Sequence, residues 1–266
     1  MITAGIDLGS TYVKAAVLRD RERLGFGVAP TGHDHDITSK EVLDSALAMA
    51  NLKTEDVEYI VSTGYGRRVT TLANETISEI SANARGVQWL GAKLGVRTII
   101  DIGGQDTKVI ALDDDLQIIN FAMNDKCAAG TGRFLEVLAK VLDVPLDELG
   151  SLSLESKDPV DITTTCLVFA KSEVANMIFR GFPNEDIIAG IHKAVARRLV
   201  AMAKKVGIKK VIFFDGGPAR NIGMIKAMER ELGMEMYVPE NPQIVTATGA
   251  ALLASEILEE KGRGSI

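Results

Sequence analysis

The chain has 266 residues, of which 46% are hydrophobic and 25% charged, with a formal net charge of −6 and only two cysteines, Cys127 and Cys166. That balance belongs to a folded chain rather than a disordered one, and the length lies where a single hydrophobic core stops growing, so two lobes are expected. An acidic chain excludes a broad surface for nucleic-acid phosphates, and two cysteines are too few for a disulfide framework. Its start lacks a signal peptide's basic and apolar regions, and no apolar run reaches about 18 residues, so a cytoplasmic protein without nucleic-acid or membrane partners is expected.

In chain order, an apolar strand ends at Asp7-Leu8-Gly9, a β-rich strand occupies residues 12–18, and a turn at charged residues leads to a third strand. A helix is expected over residues 39–51, with Ser39 as its cap, and a further apolar strand starting near Val57 runs into the glycine loop at Gly64 and Gly66. The hairpin then recurs. Asp7, Gly9, Lys14, Leu18 and Asp20 match Asp101, Gly103, Lys108, Leu112 and Asp114 at one constant offset of 94 residues. Helices are expected over residues 132–142, 172–179, 184–206, 222–232 and 246–260, and residues 211–217 form a strand and Gly-rich loop like the one at residues 57–66. Mixed sheets flanked by helices in two related halves make this an α/β chain. The expected lobes are residues 1–95, with the first hairpin, and 96–266, with the second hairpin and both cysteines. The alternative for the last helix is to pack back on the first lobe.

Two such hairpins facing each other across a cleft would aim the amides of their glycine turns at one volume, which suits a polyphosphate. Ser10 and Thr11 offer hydroxyl donors, Lys14 a point charge near a phosphate, and Asp7 and Asp101 two carboxylates for Mg²⁺. Singly, each Asp-x-Gly reads as a tight turn; the repeat at constant offset favours the phosphate site. At Asp215-Gly216-Gly217 a third glycine turn leaves bare backbone against which an adenosine can lie.

The succession of hairpin, hairpin, Gly217-Pro218-Ala219 loop and a closing helix at Thr248-Gly249-Ala250-Ala251 resembles the actin, Hsp70 and sugar-kinase superfamily, a two-lobed ATPase fold. That resemblance implies that Gly9, Ser10, Thr11, Tyr12, Val13 and Lys14 hold phosphates, and that Gly103, Gly104, Gln105 and Asp106 form the second phosphate loop. It also implies that Gly216, Gly217, Ala219 and Gln243 lie near the adenosine. Gln105 is the candidate for orienting the attacking water, with Asp101 as the alternative.

By chemistry alone, Cys127 and Cys166 read as buried inert thiols, each just ahead of a helix. The segments Ile102-Gly103-Gly104-Gln105-Asp106, Asn124 to Phe134, and Cys166 followed by Ser172-Glu173-Val174 resemble a narrower family, the activators of 2-hydroxyacyl-CoA dehydratases and the ATPase subunits of benzoyl-CoA reductase and double-cubane-cluster systems. The resemblance spans residues 4–255, and Pro218 departs from an apolar residue common there. It implies a homodimer in which Cys127 and Cys166 of each subunit bind one shared [4Fe–4S] cluster. It further implies ATP and Mg²⁺ as cofactors, ferredoxin or flavodoxin as electron donor, and a cluster-containing dehydratase or reductase component as partner. A small-molecule kinase of the same fold and a non-enzymatic nucleotide-dependent module are the rival readings. His33, His35 and His192 show no metal spacing and are expected at the surface.

Overall fold

The apolar run Ile2–Leu8 forms β1, buried from Thr3 onward because it lies mid-sheet with both faces covered. The computed structural model of the chain describes residues 1–163 and 166–263. β2 (Tyr12–Arg19) and β3 (Glu22–Pro30) continue antiparallel on one side of β1. After α1 (His35–Met49), β4 (Tyr59–Thr63) pairs parallel on the other side and β5 (Glu75–Thr76) closes the order β3-β2-β1-β4-β5. α2 (Glu79–Gly91) follows, a helix that residue pattern alone did not suggest.

The cap of α1 differs from expectation. Asp34 caps it, its Oδ1 accepting from the amides of Asp36 and Ile37, whereas Ser39 sits inside the first turns and donates to His35 O at 2.6 Å. A carboxylate there satisfies two of the helix's orphan amides, which an interior serine cannot do.

The second unit repeats this plan. β6 (Thr98–Ile102), β7 (Thr107–Leu112) and β8 (Ile118–Asn124) form the antiparallel part; α3 (Gly132–Leu142), α4 (Leu149–Leu154), α5 (Leu167–Phe179) and α6 (Asn184–Val206) lead to β9 (Ile212–Gly216), which pairs parallel with β6. α7 (Ile222–Leu232) and β10 (Met236–Tyr237) complete the order β10-β9-β6-β7-β8, the same arrangement strand for strand. Even the irregularity recurs: the β2–β3 register slips at Val17/Leu18 and the β7–β8 register at Ala111/Leu112. α5 begins at Leu167, earlier than expected, because its first turn is apolar yet exposed, with Phe169 at 65%, and shows no stripe.

The chain forms two units, residues 97–242 and residues 1–96 joined by the chain from Gln243 onward. In the first unit, α8 (Val245–Arg263) lies on β1 and α2, with Thr3 Oγ1 donating to Ala251 O at 3.0 Å. At the α2–α8 crossing the backbones touch: a Cβ on Gly249 would lie 1.7 Å from Ala82 O. Ala4, Ile6, Leu8, Val42, Leu43 and Leu47 form the core beneath α1, and Ile100, Phe214, Phe134, Leu138, Ile191 and Leu199 belong to that of the second unit.

Candidate functional site

Each unit carries the same turn at the end of its central strand. Gly9 N donates to Tyr12 O at 3.1 Å, and at the equivalent place Gly103 N donates to Asp106 O at 2.9 Å. Asp7 and Lys14 are cross-strand partners, as are Asp101 and Lys108. The lysines therefore reach back onto the carboxylates: Lys14 Nζ lies 2.8 Å from Asp7 Oδ2, and Lys108 Nζ lies 2.9 Å from Asp106 Oδ1 and 3.4 Å from Asp101 Oδ2.

The two copies differ in charge. A Cβ on Gly9 would lie 3.1 Å from the ammonium of Lys14, whereas one on Gly103 would lie 2.3 Å from Asp106 Oδ1, so the equivalent faces carry a cation in one unit and a carboxylate in the other. Lys14 keeps 18% of its side chain exposed, and Lys108 keeps none. Asp7 is buried and its Oδ1 lacks a hydrogen-bond partner, which leaves it an acceptor for a cation or a donor.

Ser10, Thr11 and Tyr12 are half-buried around the first turn, which Thr31 braces by donating its hydroxyl to Gly9 O at 2.8 Å; the Val13 side chain is fully buried in the core. In the second unit Gly103 and Gly104 are half-buried and Gln105 is exposed. Because β9 pairs with β6 in register, Ile102 against Gly216, the Gly216 turn stands beside the Gly103 turn. Gly216 has φ 87, and Gly217 to Arg220 form a short 3-10 helix with Pro218 in its first turn, where a fixed φ and missing amide fit. Ala219 is buried; Gln243 is half-buried where the chain returns to the first unit.

Two charged groups at the site carry no role in the sequence reading, although both are named in it. Lys108 was visible only as a repeat of Lys14, and Asp215, register partner of Asp101, replaces the Thr63 that faces Asp7 in the first unit. Comparing the repeats strand by strand would have found both.

Cys127 is half-buried in the loop between β8 and α3, and Cys166 is exposed at the N-cap position of α5, where Ala170 N donates to its carbonyl at 2.8 Å. Thr164 and Thr165 beside it lie outside the described residues. Among the described residues no group of three or more His, Cys, Asp or Glu side chains could hold a metal ion. His192 departs from the expected surface position: it is 1% exposed, its Nε2 lies 3.1 Å from Asn221 Nδ2, its Nδ1 has no hydrogen-bond partner, and burial pushes its pKa down to about 4. Among the described residues no helix is long and apolar enough to cross a membrane.

Comparison with known proteins adds the family. The chain is 44% identical over 266 residues to the 2-hydroxyisocaproyl-CoA dehydratase activator of Clostridioides difficile, covering 98% of this chain and 97% of that one. It is 42% identical over 259 residues to the (R)-2-hydroxyglutaryl-CoA dehydratase activating ATPase of Acidaminococcus fermentans, covering 95% and 96%. A solved structure of the 2-hydroxyisocaproyl-CoA dehydratase activator from Clostridium difficile with bound ADPNP superposes with a TM-score of 0.94 at 43% identity over 99% of this chain and 98% of that one. More distantly, a ROK hexokinase from Thermus thermophilus shares the fold with a TM-score of 0.53 at 15% identity, covering 98% and 100%. The fold is the actin-like and sugar-kinase α/β fold that the resemblance implied. Residues 4–254 match the model of the BadF/BadG/BcrA/BcrD ATPase family, and the chain belongs to that family.

Proposed function

We propose that this chain is an ATP-hydrolysing activator that passes single electrons at low potential to a cluster-containing dehydratase or reductase component. The observation that carries the reading is the pairing, in one chain, of a duplicated Asp–Lys turn with two thiols each close ahead of a helix. The relatives named above as dehydratase activators support it.

In this reading Ser10, Thr11 and the turn amides bind phosphate, with Lys14 adding a cation once its hold on Asp7 loosens. Asp7 and Asp101 hold the waters of Mg²⁺, and Gln105, exposed at the second turn, orients the attacking water with Asp101 as the alternative. Gly216, Gly217, Ala219 and Gln243 take the adenosine. Cys127 and Cys166 from two copies of the chain supply four thiolates to one [4Fe–4S] cluster. Held by Cys127 and Cys166, such a cluster would supply one-electron transfer between ferredoxin or flavodoxin and the partner. Nucleotide can drive this only by favouring one conformation over another.

Iron and acid-labile sulfide, measured after strictly anaerobic purification, test the reading. About four irons per two chains are expected by the ligand count, and Cys127→Ser or Cys166→Ser should remove them, since two-fold symmetry repeats each change. A colourless, iron-free dimer after reconstitution would sink the electron-transfer reading and leave a small-molecule kinase in its place.

A further inference from the structure

The loop that carries Cys127 is tied to the Gly103 turn at several points, all within the second unit. The first two amides of α3, those of Gly132 and Arg133, donate to Gly103 O at 2.9 Å and Gly104 O at 2.8 Å. These are amides that a helix leaves unsatisfied, so the turn itself serves as their acceptor. Thr107 and Asn124 stand side by side as register partners on β7 and β8. The Thr107 hydroxyl, fully buried, donates to Gly130 O at 2.6 Å. The Asn124 amide donates to Cys127 O at 2.8 Å and to Ala129 O at 3.3 Å.

We propose that Thr107 and Asn124 are positioning residues that fasten the Cys127 loop to β7 and β8, the strand leaving the Gly103–Asp106 turn and its neighbour, so that the ligand held at the turn sets how accessible the Cys127 thiol is. The proposal rests on the nucleotide reading above. A phosphate drawing the turn's peptide planes toward itself moves two carbonyls that are the acceptors for α3, and α3 is continuous with the cysteine loop. The turn also moves β7, because Gly103 N donates to Asp106 O, next to Thr107; without the two side-chain ties that displacement no longer reaches the loop from Cys127 to Gly130. A buried Thr hydroxyl transmits this displacement well, because leaving Gly130 O without a donor in the core is costly.

The test uses the full-length chain stripped of iron by a chelator, so that the thiols are free, with iodoacetamide as the probe and mass spectrometry to separate the Cys127 peptide from that of Cys166. Alkylation rates are compared with saturating ADP and with a non-hydrolysable ATP analogue, and affinity for each nucleotide is measured by calorimetry. The wild-type Cys127 rate should differ between the two nucleotides by about fivefold or more, the usual span of coupling between sites. Thr107→Val should bring that ratio to within about twofold of unity with affinities unchanged, while Thr107→Ser, which keeps the hydroxyl, should retain the wild-type ratio. Asn124→Ala, at a half-buried position, should likewise collapse the ratio, and it carries the test if Thr107→Val does not fold. Wild-type protein that binds both nucleotides with one alkylation rate, or a folded Thr107→Val that keeps the wild-type ratio, overturns the coupling alone. Failure of the wild type to bind either nucleotide overturns the nucleotide reading and this proposal with it.

Discussion

Asp7 and Asp101 sit opposite lysines because antiparallel pairing puts residue seven against residue fourteen, and the duplication repeats that register at Lys108. Burial then separates the two lysines. Lys108 is fully buried between Asp101 and Asp106, so Lys108→Met strands buried carboxylates and should cost about 3 kcal/mol or more. Lys14→Met should cost less, its side chain being 18% exposed. Urea titrations of both variants check this, and equal losses would show that burial is not what distinguishes them. Asp7→Ala and Asp101→Ala should each abolish Mg-dependent ATP hydrolysis while the variants keep their circular dichroism; wild-type turnover in either would remove the paired turns from the site. His192 supplies a pH dependence. Its pKa is pushed below the ordinary 6.5 to about 4 by burial, so the unfolded chain takes up the proton first as pH falls. Stability is therefore full above pH 6.5 and declines between there and pH 4, by about 3 kcal/mol over the window. Denaturant midpoints at pH 7 and pH 4.5 check the slope, which His192→Leu should flatten even though it leaves Asn221 Nδ2 without its present partner.

At the scale of elements, a broad apolar stripe made three helices legible in advance to the residue. α3, α6 and α7 occupy the residues expected of them, because Leu, Ile, Val and Met recur at helical spacing along their buried faces. α2 was not legible: its buried face is largely Ala82, Asn83, Ala84, Gly86 and Val87, residues whose smallness has no meaning until α8 is laid across them. Gly249 marks that crossing. Gly249→Val would drive a side chain into the Ala82 carbonyl at a place where neither helix backbone can yield, so the thermal midpoint should fall by more than about 5 °C, the shift that a loss of 2 kcal/mol or more produces. An unchanged midpoint would mean the two helices separate easily. The start of α1 lies four residues before the expected one because a serine can either cap a helix or sit within its first turns, and only backbone geometry tells a residue preceding the first turn from one within it. Asp34→Ala should accordingly cost about 1 kcal/mol and Ser39→Ala less, as denaturation would register.

At the scale of the whole molecule, the chain runs through the first unit, builds the second, and returns at Gln243 to finish the first. A chain ending at Pro242 should consequently lose protection against hydrogen exchange in β1 and β4, whose faces α8 covers, while α6 in the second unit stays protected; intact protection of β1 would show that α8 is dispensable. Much of this architecture was readable from residues alone. The repeat at a constant offset, the Asp-x-Gly turns and the placement of Cys127 and Cys166 near helix starts are local patterns, encoded by strand alternation, by glycine and by short-range spacing, which survive without knowledge of any partner segment. Tertiary structure alone decided that Lys108 is wholly buried with Asp106, that Asp215 stands against Asp101, that His192 lies in the core, that α8 joins the first unit, and that Thr107 and Asn124 hold the Cys127 loop. Each of these depends on register and packing between segments far apart in the chain, and the cost of burying a polar group is set by the neighbours that packing supplies.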